Sequence, residues 1–236
     1  MKNLYIDIET VPGCDWKADD LAALIQPPAN YKKGESIQAW LDANEAHERR
    51  KLTHALGLHP LYCQIVCVGV ALDEGEPRVV SNTNPVQLLQ DLGQALLDLS
   101  DESKMRSHEQ FRFVGHNIMA FDLPVLWAQS AVRNVAVPYL PNPHTIKPWD
   151  TDKVLDTLTA LKPAREQMKG YSLADMCRLL GVPDLNPDMD GSMVWDMFQA
   201  GQMDQLAEYC GRDVVMVRNL ASRIGPWTIA PWATQP

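Results

Sequence analysis

Three sets of residues in this chain have the types and spacing to do chemistry. Asp7 and Glu9 stand two apart in the run Leu4-Tyr5-Ile6-Asp7-Ile8-Glu9-Thr10. Side chains at i and i+2 of a strand share a face, so a strand here holds two carboxylates side by side. Like charges at that separation repel unless something neutralises them. Magnesium and manganese do so, because carboxylate oxygens are their natural ligands. An acidic strand end in solvent gives the same pattern, and D-x-E alone does not separate the two. A second carboxylate position, Asp122, follows Gly115-His116-Asn117 and precedes Leu123-Pro124, where it either caps a helix or faces a site. The third set is Tyr209 and Asp213, four apart and therefore on one face of a helix. Asp213 runs straight into Val214-Val215-Met216-Val217, an apolar context that sits poorly with a solvated aspartate. Gly211 between them costs about 1 kcal/mol in a helix interior, which suggests close approach of another backbone or a ligand.

The elements that must position these residues are legible in outline. Tyr5, Ile6 and Ile8 mark Leu4–Thr10 as a buried strand, and Val11-Pro12-Gly13 is expected to end it. Residues 13–60 read as a helical insertion with one or two helices, Ser36 as an N-cap and Gly57 as a stop. Gln64–Leu72 is a nearly continuous apolar run, a central strand, and Arg78–Ser81 is its short partner across a turn. Leu88, Leu89, Leu92, Leu96 and Leu97 recur at helical spacing, with 101–110 a surface loop. Phe111–Gly115 reads as a short buried strand, 122–133 as a helix, and 152–161 as a helical pattern. Ser172-Leu-Ala-Asp175 is a capping box for a helix closed by Gly181. Gly191-Ser192 precedes a short helix, and the last long helix runs over 204–224. This order predicts an α/β protein: a mixed sheet, helices on both faces, the first strand central. One domain over 1–224 with an irregular tail at 225–236 is the expected organisation.

Composition narrows the class. The 236 residues carry a net charge of −9, which argues against coating nucleic acid through bulk electrostatics but not against gripping it locally. Five cysteines with no C-x-x-C pair argue against a disulfide framework or zinc site and fit a reducing, cytoplasmic setting. No recognisable signal peptide and no apolar run of membrane-spanning length give the expectation of a soluble protein with no membrane partner.

Taken in order, Asp7-x-Glu9, His116-Asn-x-x-x-Phe121-Asp122 and Tyr209-x-x-x-Asp213 resemble the three motifs of the DEDD 3′–5′ exonucleases. The resemblance is to the exonuclease domain of family B DNA polymerases, here standing alone, and extends from Leu4 to about Ile224. Gly191-Ser192-x-Val194 is similar to the segment ahead of the third motif. Tyrosine four residues before the last aspartate resembles the tyrosine subgroup; the histidine subgroup would place histidine at position 208, which is Glu208. The insertion departs from the family pattern.

The resemblance implies a ribonuclease H-like fold with a five-stranded sheet and hydrolysis of single-stranded DNA or RNA from a free 3′ end to nucleoside 5′-monophosphates. It also implies two divalent cations, Mg²⁺ or Mn²⁺, about 3.5–4 Å apart. On that reading Asp7 bridges both ions, Glu9 and Asp213 hold the water-bearing one, and Asp122 reaches the other through waters. Tyr209 orients the water, since an ordinary phenol is a poor base at neutral pH. Glu9 and the backbone near Thr10 hold the terminal 3′-hydroxyl. His116 and Asn117 either brace the strand-to-helix turn or touch substrate, and Phe121 is either core or a substrate contact. Lys32, Lys33, Arg49, Arg50 and Lys51 of the insertion, with Tyr31 and Trp40, are candidates for gripping the single strand. Lys147, Lys162, Arg165 and Lys169 are either solvated surface or a phosphate track. A partner in replication or repair is left unidentified. The competing classes are an exoribonuclease of the same fold and a non-catalytic nucleic-acid-binding or scaffolding module.

Overall fold

The structure is a computed structural model, and it describes residues 2–13, 23–106, 109–147, 150–161 and 171–228. Strand β1 (Lys2–Pro12) leads to helix α1 (Gly34–Gly57). Strands β2 (Cys63–Leu72) and β3 (Arg78–Ser81) follow, then helix α2 (Pro85–Glu102). Strand β4 (Phe111–Gly115) feeds helix α3 (Asp122–Arg133), and strand β5 (Val154–Asp156) feeds the short helix α4 (Thr157–Leu161). Helices α5 (Leu173–Leu180), α6 (Val194–Gln199) and α7 (Met203–Thr228) complete the chain.

The five strands form one mixed sheet in the order β3-β2-β1-β4-β5, with β1 at its centre. β1 runs antiparallel to β2 and parallel to β4. The architecture is α/β and consistent with the ribonuclease H-like fold. Alternation along β1 divides the core. Leu4, Ile6 and Ile8 face α2 and α3, meeting Leu88, Leu92, Leu96, Leu123 and Leu126. Tyr5 faces the opposite way, where Val214, Val217 and Ala221 of α7 cover it with Ala71, Val114 and Leu155. Asp7, Glu9 and Val11 share the parity of Tyr5, so both carboxylates lie on the α7 side.

The close seat of α7 depends on Gly69, the cross-strand partner of Asp7. A Cβ there would lie 2.7 Å from Val214 Cγ2 and 3.2 Å from the Cys210 carbonyl, so only glycine lets the helix sink onto the sheet. Gly211 has the same origin. Its missing Cβ would lie 3.2 Å from Val79 Cγ2, so the close approach is to a β3 side chain and not to a ligand.

Several boundaries differ from expectation for identifiable reasons. β1 continues through Val11 and Pro12 because β2 keeps pairing with it as far as Cys63. Helix α1 starts at Gly34, and Ser36, one turn in, bonds the Lys33 carbonyl at 2.7 Å instead of capping. α2 continues to Glu102, beyond the start of the expected 101–110 loop. The helical pattern at 152–161 splits into β5 and α4, because a three-residue strand is too short to show a period. α7 runs past Gly225 to end at Thr228. What is left of the expected irregular tail, 229–236, lies outside the described residues.

Candidate active site

Asp7 and Glu9 stand on β1 just where α7 crosses it. Their carboxylate oxygens and the Cys210 thiol all fall within 4.8 Å of one another. Cys210 Sγ is buried, donates to the Asp7 carbonyl at 3.5 Å and lies 3.9 Å from Asp7 Oδ2. Burial and the charges of Asp7 and Glu9 push its pKa well up, so it stays a neutral thiol and a weak donor. As a neutral thiol Cys210 steadies Asp7.

Asp213 and Tyr209 arrive from α7, one turn apart. Burial raises the Asp213 carboxyl to about 6, against hydrogen bonds from Asn186 and Tyr209 that favour the charged form. The Tyr209 hydroxyl donates to Asp213, and burial followed by the charges of Asp213, Glu9 and Asp7 pushes its own pKa up. Tyr209 remains protonated through the physiological range.

Asp122 comes from the other side. β4 stops pairing with β1 at Tyr5, which leaves the Ile8 N–H without a strand partner. Asp122, in the first turn of α3, supplies the acceptor. The carboxyl is buried and raised to about 7, first by desolvation, with the Asp156 charge adding to it. For Asp7 and Glu9 desolvation also comes first, then the charge of Asp213; both lie well above the usual carboxylate range.

Asp7 and Glu9 thus share one tight group, which does not include Asp122 or Asp213; those two, from α3 and α7, lie within electrostatic reach of it, with Tyr209 bonded to Asp213. This donor set fits a hard divalent cation: the carboxylates are buried or half-buried, Asp213 and Asp122 push Asp7 and Glu9 up further, and positive charge held among them relieves that repulsion.

The residues proposed for substrate contact scatter more widely. Thr10 follows a register shift at Glu9 and donates to the Gly57 carbonyl at 2.7 Å, tying α1 to β1. His116 spans Thr157 Oγ1 (3.0 Å) and the Tyr171 carbonyl (2.9 Å), and its burial lowers the imidazole pKa. Asn117 takes a left-handed φ of 61° in the β4–α3 turn, and its N–H donates to Asp156 at 3.0 Å. Phe121 is half-buried against the α2–α3 core. Lys32 and Lys33 precede α1, whereas Arg49, Arg50 and Lys51 lie roughly 25 Å along it at 1.5 Å per residue, so the five cations do not form one patch. Tyr31 and Trp40 pack together at a centroid distance of 6.3 Å. Lys162, Arg165 and Lys169 lie outside the described residues.

Two supporting residues escaped the sequence reading. Asn186 donates to Asp213 at 2.7 Å and accepts from Arg212 Nε at 2.5 Å, pinning α7 from a loop that carries no periodic signal. Asp156, on β5, accepts from the N–H groups of Asn117, Met119, Leu158 and Thr159. It shapes the turn that carries Asp122 while adding negative charge near it. Asp152 is exposed and Asp150 pairs with Lys153.

Comparison with known proteins bears on the family and the fold. A family model described as a predicted 3′–5′ exonuclease related to the exonuclease domain of PolB matches residues 58–219. The matched span holds Asp122, Tyr209 and Asp213 and begins after Asp7, Glu9 and α1. Among solved structures, the family B DNA polymerase from the hyperthermophilic archaeon Pyrobaculum calidifontis aligns with a TM-score of 0.57 at 14% identity. That alignment covers 96% of this chain and 25% of the polymerase chain, so the likeness is one of fold. No curated protein matches the sequence.

Proposed function

The chain belongs to the family of predicted 3′–5′ exonucleases related to the exonuclease domain of PolB, and from that premise we propose that it removes nucleotides from the 3′ end of single-stranded DNA. The products are nucleoside 5′-monophosphates, and the Tyr209–Asp213 pairing favours the tyrosine subgroup of DEDD enzymes. One observation carries the reading: Asp7 and Glu9 lie side by side on β1 within the electrostatic reach of Asp122 from α3 and Asp213 from α7, with the Tyr209 hydroxyl bonded to Asp213.

Asp7, Glu9, Asp122 and Asp213 would hold a pair of divalent cations. Such ions, when bound, neutralise charge on the attacking and leaving oxygens of an in-line displacement. The protein's own part is positional. Asp7 and Glu9 are fixed by the strand, Asp213 by Asn186 and Tyr209, and Asp122 by the Ile8 N–H. Tyr209, held protonated with its one O–H directed at Asp213, accepts a hydrogen bond from the water and not its proton, so it orients the water beside Asp213. Glu9 and the Thr10 backbone receive the terminal 3′-hydroxyl.

The test is incubation with 5′-labelled single-stranded DNA and RNA in magnesium, manganese or EDTA. Stepwise shortening of DNA with release of nucleoside 5′-monophosphates, abolished by EDTA, is the expected result. Preferential shortening of RNA would reassign the chain as an exoribonuclease, and no shortening with either metal would overturn the catalytic reading. Among the described residues no helix is long and apolar enough to cross a membrane.

A further inference from the structure

Helix α1, outside the span matched by the family model, forms one wall of a groove of about 1140 Å³. The opposite wall is the Gly191–Gln199 segment, including Gly191, Ser192 and Trp195. Thr10, next in sequence to Glu9, lines it as well, so the groove opens beside the carboxylate site. We propose that this groove is the track for the single strand on the 5′ side of the scissile bond, with α1 gripping phosphates and Trp195 stacking a base.

Charge is the first argument. In a chain of net charge −9, the lining sets Arg49, Arg50 and Lys51 against one carboxylate, Asp196. His47 and His54 add two groups that donate to phosphate oxygens. Arg50 is exposed and takes part in no ion pair among the described residues. Among the described residues Lys51 pairs with Glu48 and Arg49 with Glu45, all on the same helix and both at 2.8 Å, surface contacts that exchange for phosphate at little cost.

Shape and aromatic content are the second argument. The volume exceeds the roughly 300–1,000 Å³ typical of small-molecule pockets, which favours a polymer as occupant. Trp195 is half-buried and stacked on Phe198, 6.0 Å between centroids and 21° between planes. Its ring is thus braced from behind, as a stacking platform needs to be, because every base offers a π-face to such a ring. Basic side chains along one wall and a braced aromatic on the other are the two components of sequence-independent single-strand binding.

The third argument is attachment. The Thr10 hydroxyl bond to the Gly57 carbonyl fixes the C-terminal end of α1 to β1 one residue beyond Glu9. The cationic turn of α1 is therefore held in a set relation to the cutting site. Lys32 and Lys33, at the far end of α1, are not part of this track.

The inference rests on the carboxylate site being where a 3′ end is received, and its test is separable from turnover. Binding of 5′-fluorescein-labelled dT3, dT6 and dT12 is followed by anisotropy in EDTA, for the wild type and for R50A/K51A. Both positions are exposed, so the fold is not at stake. Affinity of the wild type should rise with length. The ratio of dissociation constants, variant over wild type, should grow from near one with dT3 to tenfold or more with dT12. The salt slope with dT12 should shrink by about 1.4, at about 0.7 per phosphate contact on a single strand. W195L, which keeps an apolar contact for Phe198, should weaken dT12 at least roughly fivefold. Length-independent binding, equal salt slopes, or no measurable dT12 binding by the wild type would each overturn the track. A protein that binds as expected here but shortens no substrate in magnesium or manganese would keep the track and lose the nuclease reading.

Discussion

The Asn186 side-chain amide donates to the Asp213 carboxylate at 2.7 Å across 27 residues of sequence. Its other end accepts from Arg212 Nε, the residue immediately before Asp213. Asn186 thus fixes both the direction of a candidate metal ligand and the rotation of the helix that carries it. Outer partners of this kind typically hold 10–100-fold in metal affinity. Asn186→Leu should weaken manganese binding by that order, read by calorimetric titration, while the fold survives. Unchanged affinity would make Asn186 a purely structural loop residue.

The carboxylates themselves should behave oppositely in activity and in stability. Asp7→Ala, Asp122→Ala and Asp213→Ala are each expected to abolish nuclease activity. Asp213→Ala should also raise the melting temperature in EDTA, because it removes the charge that bears most on Asp7 and Glu9. In the wild type manganese should raise the melting temperature by mass action, and in the variants much less. Near-normal turnover in any of the three would remove that residue from the site.

Tyr209→Phe keeps the buried ring and loses the hydroxyl that donates to Asp213. Manganese should still bind, while the rate falls by up to the roughly 10²–10⁴-fold that positioned proton-handling groups contribute. Because burial pushes the phenol upward, the wild-type pH–rate profile should show no limb from tyrosine ionisation below pH 10. A rate unchanged by the substitution would assign water positioning to another group.

In metal-free protein, stability should fall as pH rises through the neutral range. Asp122 is raised to about 7 and Asp213 to about 6, from ordinary values of 3.8. A carboxyl raised in the folded state favours folding in its protonated form. Below about pH 4 both folded and unfolded chains are protonated and nothing is lost. Between pH 4 and 7 the unfolded chain ionises first, and the folded state loses ground until its own groups ionise. The melting temperature in EDTA should therefore be at least about 3 °C higher at pH 5 than at pH 8, a difference that saturating manganese abolishes or reverses. A melting temperature that rises with pH in EDTA would contradict the burial that raises these two carboxyls.

Gly69→Ala tests the seat of α7. The added methyl would meet Val214 Cγ2 at 2.7 Å, and backbone as well as side chains of α7 would have to shift. Overpacking of this type costs about 1–3 kcal/mol. Because Tyr209 and Asp213 ride on that helix, activity should fall with stability, measured by urea titration and turnover together. Loss of stability with full activity would separate helix seating from the site.

Sequence and tertiary structure contributed different parts of this site. The pairing of Asp7 with Glu9 follows from the two-residue period of a strand, and that of Tyr209 with Asp213 from the helical turn. The position of Asp122 at the head of α3 follows from a buried strand, a turn and an apolar helical run. All three are local and therefore legible in the sequence alone, as were the ends of β3 and β4. The ordered motifs named the four carboxylates; what the chain order could not convey was which residues support them. Asp156 was hidden because its strand is only three residues long, and Asn186 because its loop has no period. Gly69 and Gly211 acquire meaning only when α7 lies on the sheet, and the basic residues of the insertion divide only when a straight 24-residue helix separates them. Hydrophobic periodicity specifies which face of each element is buried. The register between strands and the depth at which a helix lies on them depend on non-local close packing, and those decide which side chains finally touch.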